Sequence, residues 1–533
     1  MRRNGHRAKG RTRLSLLLRA GAIACAFAVQ LPVDALRSAP AVPERPVAPA
    51  AAQPLPPVEI GADVASFYRD RGFRPLWVTS DGLRPEGEQV LRMLGPSASP
   101  GLRAAMAAAE SGDPHLLTRA DLLLSEAYAD HVRRLQQPPA ANAMRYIDPG
   151  LAPAVQPVRA ILDGAAAAPS LAAHLDAVER INPVYDGLRR GLAAYRAHWS
   201  HLPQAALPAH PSPDQLRHRL GLGAQDDPAA RLRAFQHVHG LPQTGTADAA
   251  TVAALNRGAF YYERRIEANI ERARAIPARP DGRYILVDTA SARLWMVANG
   301  RIHDAMRVVV GKRAMPTPLM AGLIRYAALN PYWNLPPDLI RKRAGNAVRH
   351  GAGVIPGERL QVLSDWTPQA RTLAPGSVDW RAVAAGRRFV NLRQLPGPQN
   401  MMGRIKFMLP NDLGVYLHDT PLRDLLRRAD RHESSGCVRL EDAQRLGRWL
   451  FDGSVPRGSG APEERADLPA PVPVYLAYFT VLPSRDGVVF QPDVYGRDGA
   501  AGASGAARAP RAAPPRAGAA RSTPRRNRSS PVK

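Results

Sequence analysis

Cys437 stands in Ser434-Ser435-Gly436-Cys437-Val438-Arg439, nineteen residues after His418 in Tyr416-Leu417-His418-Asp419-Thr420-Pro421. A thiolate is the nucleophilic form of cysteine, and an imidazole within reach can take its proton, so this pair can carry acyl-transfer chemistry. The only other cysteine, Cys25, lies in a stretch that reads as an export signal. The mature chain would then keep one thiol, with nothing to pair it, in a compartment where pairing is the norm. An unpaired thiol is exposed to oxidation there, and chemistry is the best reason to keep it.

Alternation along a strand over Gly414–His418 puts Tyr416 and His418 on one face, with Val415 and Leu417 on the other. A helix expected over Glu441–Phe451, with Glu441 and Asp442 in its first turn, would follow shortly after Cys437. A helix N-terminus and a neighbouring imidazole together predict a lowered thiol pKa. Gly436 lets backbone approach a substrate, and amides around Gly436 and Cys437 are candidates for stabilising an oxyanion. Arg439 is a natural carboxylate partner, for substrate or for structure. The competing reading is a buried structural cysteine and a satisfied core histidine. The polar flanks Ser435, Gly436 and Arg439 argue against it, as does a free thiol after export.

Elements that could position this pair follow from periodicity. From Arg283 the pattern becomes period 2, predicting strands over Arg283–Asp288, Arg293–Val297 and Met306–Gly311, with a tight turn at Asn299-Gly300. Ile405–Met408 and Gly414–His418 read as further strands, and Val472–Val481 with Val488–Phe490 close a mainly β domain. Residues 331–400, rich in Pro, Gly and Arg, read as an irregular lid or insertion. Upstream, residues 58–205 are mostly helical in pattern. Over 213–257, Asp227 and Pro228 open a helix with Leu232, Phe235 and Val238 on one side. Gly240 ends it, and Thr246 is the expected cap of a second helix bearing Val252 and Leu255. A charged helical connector follows over 258–280. His237 and His239 are two apart on a helix, point about 200° from each other and cannot chelate together. No cysteine or carboxylate cluster completes a set, so no metal is expected.

The chain has 533 residues and a net charge of +26. Seven Lys/Arg fall in residues 1–19 and eight in 499–533, with no acidic residue in either stretch. The basic tail, 499–533, lies among Ala, Pro, Gly and Ser without interleaved aromatics, so nucleic acid is not the expected partner. A solvated tail is the plain reading, with contact to an anionic envelope surface as the alternative. Basic residues up to Arg13 and an apolar run over Leu14–Val29 predict a signal peptide at 1–30 and export to the periplasm or cell envelope. Arg19 interrupts the run and leaves an uncleaved membrane anchor open. Residues 31–57 are a Pro/Ala-rich linker.

Two resemblances organise these readings. Arg231-Leu232-Arg233-Ala234-Phe235-Gln236-His237-Val238-His239-Gly240-Leu241-Pro242, with Thr244-Gly245-Thr246 and Thr251–Asn256, resembles the peptidoglycan-binding type 1 domain. His418, fifteen intervening residues and Ser434–Arg439 resemble the YkuD-type L,D-transpeptidase signature, with Ser435 in place of its second His and Arg439 in place of its Asn. Both departures resemble the YcbB-like branch, as do Asn330–Pro336, Arg393–Gly397 and Phe67–Trp77. Cysteine hydrolases of the papain and NlpC/P60 kinds have the opposite order, Cys before His.

The resemblance implies an α+β multidomain chain: a helical N-terminal scaffold (58–205), a small helical-bundle peptidoglycan-binding module (213–257), the connector, and a mainly β catalytic domain (282–498) with its lid at 331–400. It also implies that Cys437 attacks a tetrapeptide stem, releasing D-Ala and leaving a thioester, with His418 as acid and base. Ser434, Ser435, Gly436 and Asp419 become supporting residues, with the Asp419 carbonyl or the Ser435 turn orienting His418. Arg439, Tyr416, Trp333 and Asn334 become substrate contacts. The expected acceptor is the diaminopimelate amine of a second stem, giving a 3→3 cross-link. No cofactor is implied, and carbapenem-type inhibitors should acylate the thiol. Water or a lipoprotein lysine as acceptor, or a non-catalytic wall-binding scaffold, stay open.

Overall fold

Proline at a first helical turn, behind a polar residue whose side chain caps it, fixes several helix starts. The computed structural model describes residues 60–137, 144–278, 282–367 and 369–499, all within one compact unit. The expected signal peptide, the Pro/Ala-rich linker and the tail beyond Gly499 lie outside the described residues.

In the N-terminal region Asp113 caps α1 (Pro114–Gln136), its carboxylate accepting the His115 and Leu116 amides. Buried on α1, Asp121 accepts the Leu76 and Trp77 amides, while Ser125 accepts the Trp77 indole N–H and bonds the Tyr68 hydroxyl. The Tyr68 and Trp77 of the sequence motif are thus anchors of a helical core with Phe67, Leu102, Leu124 and Leu162.

Next comes α2 (Pro183–Tyr195), capped by Asn182. Then α3 (Pro213–Leu220), α4 (Pro228–Val238) and α5 (Ala249–Ala273) follow. Asp227 caps α4 as expected, but α5 is capped by Asp248, not Thr246: its carboxylate accepts the Thr251 amide at 2.8 Å. Within α5 the backbone leaves the helical region at Gly258 (φ +75°, ψ 162°), so the stretch is two helices meeting at a sharp break, the second running along the expected connector. Leu216, Leu232, Phe235 and Leu255 share one core with Tyr195, Trp199, Tyr262 and Phe490. The three helices therefore do not form a core of their own.

The C-terminal region is built on β1 (Arg283–Asp288), β2 (Arg293–Ala298), β3 (Arg301–Gly311) and β4 (Met320–Leu329). Asn299 and Gly300 both take positive φ in the β2–β3 turn. The insertion follows, and it is folded, not irregular. Its α6 (Pro337–His350) buries Ile340, Ala344 and Ala347. Its strands β5 (Leu360–Leu363) and β6 (Asn391–Gln394) join two-residue strands in a four-stranded sheet around Val362, Trp380 and Leu392. Its arginines stand outside that core, which is why composition alone suggested an irregular segment.

After it come β7 (Ile405–Met408), β8 (Leu417–His418), β9 (Val438–Leu440), α7 (Ala443–Leu450) and β10 (Glu464–Ala477). The strand order is β7-β8-β9-β3-β2-β1-β10-β4, and β4 pairs back onto β7, closing the sheet. One side, with Phe407, Leu417, Val438 and Val308, packs around α7. Tyr284, Leu286 and Tyr475 face the helical core instead.

The last strands, β11 (Val481–Ser484) and β12 (Gly487–Phe490), do not close the β domain. They form a hairpin lying on α2. Close approach requires glycine there: a Cβ on Gly187 would stand 2.5 Å from Pro483, and one on Gly191 2.3 Å from Val488. Gly191→Leu is expected to cost about 3 kcal/mol by overpacking, read as a lowered thermal midpoint.

Candidate active site

Cross-strand register decides which side chains meet. His418 pairs with Lys406 on β7 and with Arg439 on β9, so the three form a row across one face of the sheet. Two residues back along each chain, Tyr416 and Cys437 occupy the same face. Their neighbours Leu417, Val438, Ile405 and Phe407 point into the core. Alternation thus places one apolar and one reactive face on the same three short strands.

The thiol is partly exposed and lies 3.5 Å from the Gly414 carbonyl. Its turn is tightly braced. Ser434, nearly fully buried, donates its hydroxyl to the Cys437 carbonyl at 2.6 Å and accepts the Gly436 amide at 3.1 Å. Gly436 has φ +116°, a conformation open to glycine. Its carbonyl accepts the hydroxyl of Thr317, which also accepts the Gly311 amide. Tyr495 donates its hydroxyl to the Gly311 carbonyl at 2.5 Å.

Two expectations change here. The Gly436 amide is already used by Ser434, so it is not the oxyanion donor. The Cys437 amide has no recorded acceptor among the described residues and is the donor left at the thiol. Nor does a helix N-terminus sit at the cysteine, because β9 intervenes and α7 begins at Ala443, capped by Asp442. Burial pushes the Cys437 pKa up, against smaller lowering effects from the Tyr416 backbone, Arg439 and Lys406. Burial thus works against the lowered thiol pKa that the sequence predicts.

His418 is 2 % exposed, and its Nδ1–H donates to the Asp419 carbonyl at 2.6 Å. That bond fixes the tautomer and leaves Nε2 as an acceptor. Burial first, then the Arg439 charge, pull its pKa down to about 3. The Asp419 carboxylate accepts the Arg404 amide and the Arg423 guanidinium, which holds the His418–Asp419 corner in place. Arg439 has no recorded carboxylate partner among the described residues, and its Nε is buried without an acceptor. A guanidinium so placed is ready for an incoming anion.

Trp333 lies elsewhere: it packs into the insertion's own core. Asn334 is exposed and pairs with Arg393 within that sheet. Ser435 is half-buried at the turn. Lys406, Thr317 and Tyr495 were missed. Only Lys406 left a trace in the sequence, as the one charge in a four-residue apolar strand. Among the described residues no group of three or more His, Cys, Asp or Glu is placed to hold a metal.

Residues 282–468 match the family model of the YkuD L,D-transpeptidase catalytic domain, and residues 62–192 match that of a scaffold domain. The two matched stretches fall on the sheet-built region and on the helical N-terminal region respectively. It is 30 % identical over 242 residues to a putative L,D-transpeptidase of Haemophilus influenzae, covering 44 % of this chain and 48 % of the relative, about half that protein's length. Among solved structures it is similar to an L,D-transpeptidase from Stackebrandtia nassauensis, at 14 % identity over 55 % of this chain and 91 % of that one, with a TM-score of 0.17. Another is an L,D-transpeptidase in complex with imipenem, at 13 % identity over 37 % and 59 % of the two chains, with a TM-score of 0.18.

Proposed function

We propose that this chain is an L,D-transpeptidase of peptidoglycan that forms 3→3 cross-links through a Cys437 thioester. The observation that carries the reading is the shared face of β7–β9: a braced thiol and an imidazole with a free acceptor nitrogen, beside an arginine with no carboxylate partner among the described residues. Nε2 of His418 takes the thiol proton as sulfur attacks the carbonyl of the third stem residue. The C–S bond forms, the C–N bond breaks, and D-Ala leaves with the proton from His418. The acceptor amine of a second stem then attacks the thioester and gives its proton to His418; the C–S bond breaks, and the departing sulfur takes that proton back, restoring the thiol and the neutral imidazole. The Cys437 amide is placed for the oxyanion, and Arg439 for a stem carboxylate.

On this reading residues 213–257 bind peptidoglycan, and the chain works in the periplasm or cell envelope, its basic tail near an anionic surface. Carbapenems acylate Cys437. Incubation with disaccharide tetrapeptide, followed by mass spectrometry, is expected to yield cross-linked dimers with D-Ala release. Tripeptide alone would replace the reading with a carboxypeptidase, and no turnover would leave a wall-binding protein.

A further inference from the structure

We propose that Lys406 is a positioning residue that couples the seat of the insertion to the Cys437–His418 pair, an inference resting on the catalytic reading above. Lys406 is 9 % exposed, and a lysine so buried is rare without a purpose or a partner. It has both. On the sheet face it stands beside His418, opposite Arg439, and its Nζ lies 5.2 Å from the centre of the Tyr416 ring. Its carboxylate partner, Glu463, is 3.6 Å away.

Glu463 is itself the clamp on the insertion's entrance. Its carboxylate accepts the Tyr332 amide at 2.8 Å, and its own amide donates to the Asn330 carbonyl at 3.1 Å. Asn330 and Glu463 both hold left-handed backbone, with φ of +52° and +57°. Two non-glycine residues kept in that region against each other mark a junction fixed by its surroundings. The path runs from the first residues of the insertion, through Glu463 and Lys406, to the ring and imidazole beside the thiol.

The charge has a direct use. A cation on this face favours the Cys437 thiolate and disfavours a protonated His418, so the base stays free while the nucleophile forms. Lys406 acts this way on both groups, as does Arg439. The charged and titratable groups facing the pair are Lys406 from β7, Tyr416 and Asp419 from β8 and its end, Arg439 from β9, and Glu463 from the segment before β10. Glu433 acts on Arg439 from the strand preceding the turn.

The test uses the full chain and iodoacetamide, which reports thiolate formation at Cys437 without requiring turnover. Lys406→Met is expected to move the alkylation midpoint up by about one pH unit, making labelling about tenfold slower at pH 7. Lys406→Arg restores the rate. Glu463→Gln, which removes the opposing charge, moves the midpoint down, and it carries the test if Lys406→Met does not fold. With tetrapeptide, kcat of Lys406→Met falls about tenfold while KM changes less than twofold. A folded Lys406→Met protein with the wild-type alkylation profile, or a Lys406→Arg protein as slow as Lys406→Met, would overturn the proposal. Variants that show these alkylation shifts, together with a wild-type protein that never turns over tetrapeptide, would sink the transpeptidase reading and leave the role of Lys406 intact.

Discussion

Cys437→Ala is expected to abolish turnover of tetrapeptide, by about 10³-fold or more, without unfolding the chain. The reasoning is local. The thiol makes a long 3.5 Å approach to the Gly414 carbonyl and a polar contact with the Tyr416 backbone, so its loss removes little packing. The brace around it belongs to other atoms: the Ser434 hydroxyl on the Cys437 carbonyl, and Thr317 on Gly436. Alanine keeps both. The turn, the Cys437 amide and Arg439 therefore survive, while the atom that must form the thioester is gone. The measurement is a time course of D-Ala release, beside a thermal melt within about 2 °C of wild type. A covalent mass adduct with a carbapenem should vanish in the same protein. Retained turnover at near wild-type rate would eliminate the thioester route, whatever the fold resembles.

Much of this site was legible because it lies close in sequence and obeys short-range rules. Alternation alone placed Tyr416 and His418 on one face, and glycine before the cysteine announced a turn, which the structure holds at positive φ. What depended on partners distant in the chain was not legible. Lys406 reaches the site through register with β8, and Thr317 and Tyr495 reach the turn from separate segments. The thiol's pKa was misjudged for a related reason. Sequence distance put a helix N-terminus near Cys437, but three residues of strand carry the chain away before the helix begins. Burial, which no local pattern reports, then sets the sign. The insertion shows the reverse case: Pro, Gly and Arg dominated its composition, yet Ile340, Ala344 and Ala347 already spelled one buried helix face.

Acid is expected to inactivate this protein by unfolding it, before it protonates the catalytic base. Two histidines are held neutral by burial, His418 in the sheet and His239 between Phe235 and Phe490, each with its pKa drawn down to about 3. His239 donates from Nδ1 to the Phe235 carbonyl at 2.7 Å and faces the Tyr195 hydroxyl at 3.1 Å, so its neutral form is fully bonded. Above pH 6.5 neither the folded nor the unfolded chain protonates these rings, and they add no pH dependence. Below it, the unfolded chain takes up a proton on each that the folded chain refuses until about pH 3, so stability falls as pH falls through that window. At pH 5 the loss is about 2 kcal/mol for each histidine, a large share of ordinary folding stability. Buried Asp121 and Asp288 run the other way, because burial raises their pKa and the folded chain then binds the proton more readily. A comparison isolates the histidine share: His239→Phe should show a shallower decline of thermal midpoint between pH 7 and pH 5 than wild type. An equal slope in both proteins would show that His239 is not held neutral. Turnover measured alongside should fall with loss of near-ultraviolet circular dichroism, since Nε2 of His418 stays an acceptor as long as the fold lasts. Toward alkaline pH the rate should climb instead, following ionisation of a thiol that burial has pushed upward.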